Sequence, residues 1–246
     1  MISNFFKKND EVEVEWWSDI DAFNDPSLDF LRPQKASKFF PEWFKKVHAS
    51  KENRGVGNIK NCPVFPEYLT QGWIIPMWCD TELYVDDDGW KWNTPTDAFS
   101  WEMHSPEQFL HWLPEKQQKD YIWTWKAKCP WKVKTPKGYS MYQLNPFYHF
   151  HDWTILPGSI RTDFHFELNQ QVLVPKSYKG KTLLIERGTP FAWYIPYKRT
   201  KYKEIFVPYD EERKRMESAS WLNIFTSFKD SYKKRVKLED KNEKEK

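Results

Sequence analysis

Between Ile122 and Thr200 the chain is written as short extended-type runs cut by proline and glycine, and this punctuation restricts the fold more than any other feature. The runs are "YIWTWKAKCPW", "YSMYQLNPFYHFHDWTI", "SIRTDFHFEL", "QQVLVP", "KTLLIERG" and "FAWYIPYKR". Several short strands at near-regular intervals predict a mainly β fold, an antiparallel barrel or sandwich. Helices fall outside this region, so they are expected to be peripheral. No strand–helix–strand alternation is visible, which disfavours a parallel nucleotide-binding sheet. Neither GxxxxGKS/T nor GxGxxG occurs, and GxSxG is absent too.

Upstream, "EVEVEWW" reads as a strand and "PEWFKKV" as a short helix beginning at Pro41. A polar linker follows from Ser50 to Cys62. The segment "GWIIPMWCDTELYVDDDGWKW" offers three strands, the last two joined by a hairpin turn at Asp86-Asp87-Asp88-Gly89. Those aspartates lack the ligand spacing and closing glutamate of an EF-hand, and read as a solvated turn. "SPEQFLHWL" predicts a helix capped by Ser105, with Pro106 at its first position and Phe109, Leu110 and Leu113 as its apolar stripe. From Glu211 a basic helix is expected, with Met216, Trp221, Leu222 and Phe225 on one face. The 246 residues suit one β-rich domain over 1–235, followed by a charged, disordered tail over 236–246.

Composition narrows the function classes. The net charge of +3 is the small difference between 38 basic and 35 acidic residues, so it makes no general case for nucleic acid. No stretch approaches the roughly 18 continuous apolar residues of a spanning helix, and the start lacks an apolar leader region. A soluble, cytoplasmic protein without membrane partners is expected. Cys62, Cys79 and Cys129 form no CxxC pair and read as reduced core thiols. The chain holds 15 Trp, 12 Tyr and 18 Phe against 8 Gly. In "WKW" and "WTW" the indoles stand at i and i+2, on one face of a strand, which suits core packing better than a platform for bases.

The stretch "YHFHDWTILPGSIRTDFHFE" carries three of the six histidines around Pro157-Gly158. Runs 153–156 and 159–162 are expected to fold back on each other there. If the register is symmetric about Pro157, His149 faces His165 and His151 faces Asp163, a donor set suited to iron, manganese or zinc. If the loop is a two-residue turn, Asp152 faces Asp163, His151 faces Phe164, and the cluster dissolves. Tyr148, Phe150, Trp153, Phe164 and Phe166 surround these polar groups, which favours histidines that serve as hydrogen-bonded rings in an aromatic setting.

The runs "NCPVFPEYLTQGWIIPMWCDTELYVDDDGWKW", "CPWKVKTPKGYSMYQLNPFYHF", "LPGSIRTD" and "ERGTPFAWYIPYKR" resemble an uncharacterised family encoded by tailed bacteriophages, notably phages of marine cyanobacteria, and by some bacteria. The likeness spans roughly residues 12 to 203. It implies location in an infected host cell and a host or virion protein as partner, but no activity.

A second resemblance, carried by "PKGYS", "LPGSIRTDF" and "IERGTPFAWYIPYKR", is to the dUTPase-like β-clip fold. There a hairpin of pattern G-x-I/V-D-x-x-Y/F builds the deoxyuridine pocket. The matching residues are Gly158 to Phe164, with Arg161 where those enzymes have the aspartate that activates water. A guanidinium cannot act as that base. The resemblance therefore implies a β-clip-like architecture with Arg161 and Asp163 as candidate ligand contacts, and no dUTP hydrolysis. The expected function is a non-catalytic binding or interaction protein. Two alternatives remain: a metal-dependent enzyme using His149, His151, Asp163 and His165, and a degenerate nucleotide-binding protein.

Overall fold

The computed structural model describes residues 12–48, 58–60, 62, 64–86 and 89–216. The chain forms two compact units, one of Val12–Phe39 with Gln71–Arg199 and a smaller one that takes in Phe40–Thr70 and the chain from Thr200.

All strands among the described residues lie in the larger unit. In chain order they are β1 (Glu15–Ser18), β2 (Gln34–Lys35), β3 (Trp73–Pro76), β4 (Thr81–Val85), β5 (Trp90–Asn93), β6 (Trp101–His104), β7 (Tyr121–Lys134), β8 (Tyr139–Leu144), β9 (Thr154–Ile155), β10 (Gly158–Ile160), β11 (Glu167–Pro175), β12 (Thr182–Ile185) and β13 (Pro190–Lys198). One sheet runs β1-β7-β11-β9, with β6 also on β7; a second runs β10-β8-β13-β3-β2; a third runs β12-β4-β5. Every pairing is antiparallel. The expected β class holds, and among the described residues no sheet closes into a barrel. The hairpin expected at Gly89 forms between β4 and β5.

Strand β7 illustrates why these residues make sheet. Trp125, Ala127, Trp131 and Val133 are buried on one face. Lys126, Lys128, Lys132 and Lys134 alternate with them, as the period of two requires. Glu102 on β6 accepts from Lys126 at 3.1 Å and Lys128 at 2.5 Å, Asp19 pairs with Lys132, and Glu15 on β1 pairs with Lys134 at 3.4 Å. Each lysine of the stripe thus has a carboxylate partner on or beside the same sheet, with Glu102 shared by two of them.

The tryptophans build the core. Trp125 meets Trp90 at 5.4 Å and Trp101 at 6.4 Å, and Phe191 meets Trp101 at 6.1 Å and Trp78 at 5.5 Å, all edge to face. Offset and edge contacts of this kind suit the ring quadrupole. A buried polar relay joins the two larger sheets: Gln170 on β11 donates to the Tyr194 hydroxyl on β13 at 2.6 Å, which donates to Gln143 Oε1 on β8 at 2.8 Å. Gln143 in turn donates to the Leu156 carbonyl at 3.2 Å. Entry to β3 depends on Gly72, with φ +64, where an added Cβ would lie 2.0 Å from the Tyr194 carbonyl oxygen.

The expected helix over 105–113 is replaced by two 3-10 turns, Pro106–Gln108 and Leu110–Trp112, broken at Phe109 with φ −147 and ψ −56. The Gln108 side chain accepts the Ser105 N–H at 2.8 Å and closes the first turn locally. Of the intended stripe only Leu110 is buried, so little burial energy is available to extend a helix. No helix among the described residues is long and apolar enough to cross a membrane.

In the smaller unit, helices Glu42–Lys46 and Val64–Leu69 meet through Phe44 and Phe65, whose rings lie 5.0 Å apart. Lys60 sits 4.3 Å over the Phe44 ring. Residues 211–216 are helical; Trp221, Leu222, Phe225 and the expected tail at 236–246 lie outside the described residues.

Candidate functional site

The residues around Pro157-Gly158 do not form a hairpin. Strand β9 pairs with β11, while β10, two residues further on, pairs with β8 in the other large sheet. The reason lies in distant partners. Leu156 N–H donates to the Gln171 carbonyl at 2.9 Å, which holds this end of the segment on β11 of the first sheet, while Ile155 N–H donates to Asn145 Oδ1 at 3.1 Å, just past β8. Pro157 has no N–H to contribute at the crossing. Neither register drawn from the sequence is therefore realised, and His149 does not face His165 across paired strands.

On the β9 side, a 3-10 turn over Phe147–His149 ends at Phe150, which takes the left-handed conformation with φ 53 and is 64% exposed. His149, His151 and Trp153 then stack nearly parallel, with ring centroids 5.7 and 4.4 Å apart. His151 Nε2 lies 2.8 Å from the Pro190 carbonyl, which only accepts, so this nitrogen carries the proton and donates. Burial holds the imidazole pKa below its ordinary value, against the opposing pull of that carbonyl and of Asp152. Beside it the Tyr178 hydroxyl donates to Asp152 at 2.7 Å, which raises the phenol pKa. These groups, with Phe150, Leu184 and Glu186, line an open cleft of about 480 Å³. The protons of its phenol and of His151 Nε2 are both directed at protein acceptors.

On the other side, residues 161–165 form a turn in which Phe164 and His165 N–H groups donate to the Arg161 carbonyl at 3.3 and 3.0 Å. The exposed Arg161 guanidinium lies 4.8 Å over the Phe164 ring. Asp163 accepts from Arg199 through both guanidinium nitrogens and from Gly138 N–H at 3.1 Å. Arg199 also donates to Tyr139 O and, at 2.7 Å, to Ser140 Oγ. The pair with Arg199 draws the Asp163 carboxyl down to about 2. His165 is exposed. Among the described residues no three His, Cys, Asp or Glu side chains are grouped so as to hold a metal ion. The structure thus brings His149 and His151 together and gives Asp163 to Arg199, a residue no local pattern marked.

A different segment stands out by exposure. From Thr200 to Tyr209 every described residue is exposed, including Tyr202 at 89% and Phe206 at 86%. Branched Ile205 and Val207 favour extended backbone, and Pro208 keeps Val207 out of the helical region. Among the described residues, none of 200–209 takes part in a backbone hydrogen bond. Asp210 then starts the helix over 211–216 by accepting from Glu212 N–H at 2.9 Å and Arg213 N–H at 3.3 Å.

No family model matches the chain, and no curated protein does. Among solved structures it is weakly similar to dUTPases. The dUTPase of Staphylococcus bacteriophage 80alpha with dUpNHpp is 12% identical, with 82% of this chain and 90% of that chain covered and a TM-score of 0.36. Native EIAV dUTPase is 13% identical over 57% of this chain and 84% of that one, with a TM-score of 0.32. The dUTPase of phage phi11 of S. aureus is 11% identical over 56% and 84%, with a TM-score of 0.29. At such scores the likeness bears on neither activity nor ligand.

Proposed function

We propose that this chain is a non-catalytic interaction protein that takes a protein partner along residues 202–209. One observation carries the reading. Tyr202, Ile205, Phe206, Val207 and Tyr209 expose between 60% and 89% of their surface within a single short segment. Isolated exposed apolar residues are ordinary, but a contiguous run of them marks a contact surface. Burying large side chains yields about 1.5–3 kcal/mol each, so five give on the order of 10 kcal/mol before ordering costs are subtracted. That gross term is large enough for specific binding. Among the described residues none pairs with the backbone of 202–209, so a strand edge in the partner can supply its hydrogen bonds.

The ligand pocket implied at Arg161 and Asp163 has less support, because the Asp163 carboxylate is already occupied by Arg199 and Gly138. A metal-dependent enzyme is likewise less supported, since His151 Nε2 is engaged by Pro190.

Deuterium exchange combined with sedimentation tests the reading. In the monomer, amides of 202–209 should exchange at the rate of unstructured peptide. Protection should appear only in an associated species, and that association should weaken at least about tenfold in Ile205→Ser/Phe206→Ser, given the burial at stake. Protection of these amides in a species that sediments as a monomer would overturn it.

A further inference from the structure

Strand β12 is an edge of its three-stranded sheet, and among the described residues β4 is its one strand partner. On the side away from a partner, alternate residues of an edge strand present N–H and C=O groups that another chain can take. Thr182 to Glu186 all line the open cleft of about 480 Å³, whereas β4 and β5 contribute nothing to its lining. The cleft therefore runs along the free edge.

The two faces of the strand differ. Leu183 and Ile185 are buried, while Thr182, Leu184 and Glu186 are exposed, Leu184 with 50% of its surface open. Elsewhere on the lining, Phe150 holds the left-handed conformation that a bulky residue adopts only at a cost, and still leaves its ring in water. The charges of the cleft have one sign. Asp152 and Glu186 line it, and no lysine or arginine does. These features call for an extended chain with cationic and apolar side chains at alternate positions.

The protein contains such a segment in "KYKEIFVP", residues 201–208, which is exposed throughout and among the described residues makes no backbone hydrogen bond. Set antiparallel to β12, it can place Lys203 opposite Glu186, Ile205 opposite Leu184 and Val207 opposite Thr182. Side chains directly opposite one another share a face, so this register gives one ion pair and one pair of aliphatic residues on the exposed side, and turns Phe206 into the cleft. A slip of one residue would set Glu204 against Glu186. Pro208, without an N–H, ends the ladder.

We infer that segment 201–208 of one copy of this chain adds as a strand to the β12 edge of a second copy. The inference rests on the reading of 202–209 as a contact segment and names its partner.

The probe is a fluorescently labelled peptide of residues 200–210, titrated into the full chain and followed by anisotropy, with sedimentation of the chain alone. The peptide should bind one site per chain, and an excess of it should return the self-associated chain to monomer. Glu186→Lys, at an exposed side chain, should weaken binding about tenfold by replacing an opposite-charge pair with a like-charge pair, and a peptide carrying Lys203→Glu should recover it. One peptide N-methylated at Lys203 and Ile205 and another at Glu204 and Phe206 separate strand pairing from apolar adhesion. Only alternate amides face β12, so one of the two should lose binding and the other keep it. A peptide that does not bind, affinity indifferent to Glu186→Lys, equal loss for the two methylated peptides, or a chain that stays monomeric at concentrations that saturate the peptide site would each overturn the inference. The reading of 202–209 as a contact segment stands or falls separately, on whether its amides are protected in the monomer.

Discussion

Arg199 holds Asp163 through both guanidinium nitrogens, across 36 residues of sequence, and fixes the turn after β10 to the start of β8 by further bonds to Tyr139 O and Ser140 Oγ. Because this pair lowers the carboxyl from 3.8 to about 2, the folded state binds the Asp163 proton less tightly than the unfolded chain does. Its stabilising contribution is therefore full above roughly pH 4 and is lost as pH falls toward 2. Urea unfolding across that range should show a fall in midpoint for the native chain that is shallower in Asp163→Asn. Identical slopes would mean the pair adds nothing to stability.

His151 titrates in a separate window. Its pKa is lowered by burial, so the folded state favours the neutral ring, and the associated stability is complete above the ordinary value of 6.5 and declines as pH drops below it. The expected observation is a loss of thermal stability from pH 7 toward 5, about as the imidazole charges in the unfolded chain. His151→Gln, which can still donate to the Pro190 carbonyl, should flatten that decline.

The Gln170–Tyr194–Gln143 relay predicts an unusually costly removal of one oxygen. Tyr194→Phe keeps the ring, which is 0% exposed, but strands the Gln170 amide donor and the Gln143 carbonyl acceptor in the core. At about 1–3 kcal/mol for a buried polar group left unpaired, a total near 3 kcal/mol is expected from chemical denaturation. A change below ~0.5 kcal/mol would show that the glutamines find other partners.

Gly72→Ala should be among the most damaging single substitutions. A methyl group there meets the Tyr194 carbonyl oxygen at 2.0 Å on a backbone with φ +64, so β3 and β13 must move apart or the turn must rearrange. A loss of more than about 3 kcal/mol is expected, beyond the usual range for a point change. Gly138→Ala is the control. Its φ is also positive, at +89, but nothing lies within 4 Å of the added carbon, so only the conformational cost of about 1 kcal/mol applies.

What the sequence made legible was whatever a period of two can encode. The lysines of β7 alternate with Trp125, Ala127, Trp131 and Val133, and that alternation alone places the strand with one face inward. The β4–β5 hairpin was likewise readable, from its acidic turn and Gly89. Partnerships over long distances were not. Pro157-Gly158 carries an ordinary turn signal, yet the strands on either side are claimed by β11 and β8, and nothing between residues 148 and 167 names those partners. Asp163 looked like a ligand group for the same reason, since Arg199 lies well outside any local window. The capped segment at Ser105 failed as an α-helix because its polar signal specified only a first turn, and exposed Trp112 and half-buried Leu113 supplied no packing to lengthen it.

The pairing of β1 with the far end of β7 also sets a schedule for the nascent chain. Glu15 lies opposite Lys134, 119 residues later. At ~5–20 residues per second, their synthesis takes on the order of ten seconds. During that interval Trp16 and Trp17 leave the ribosome with no strand to join. Loop closure of this length also slows folding once the chain is complete. A ribosome paused short of residue 134 therefore presents two unpaired indoles to whatever chaperone is nearest.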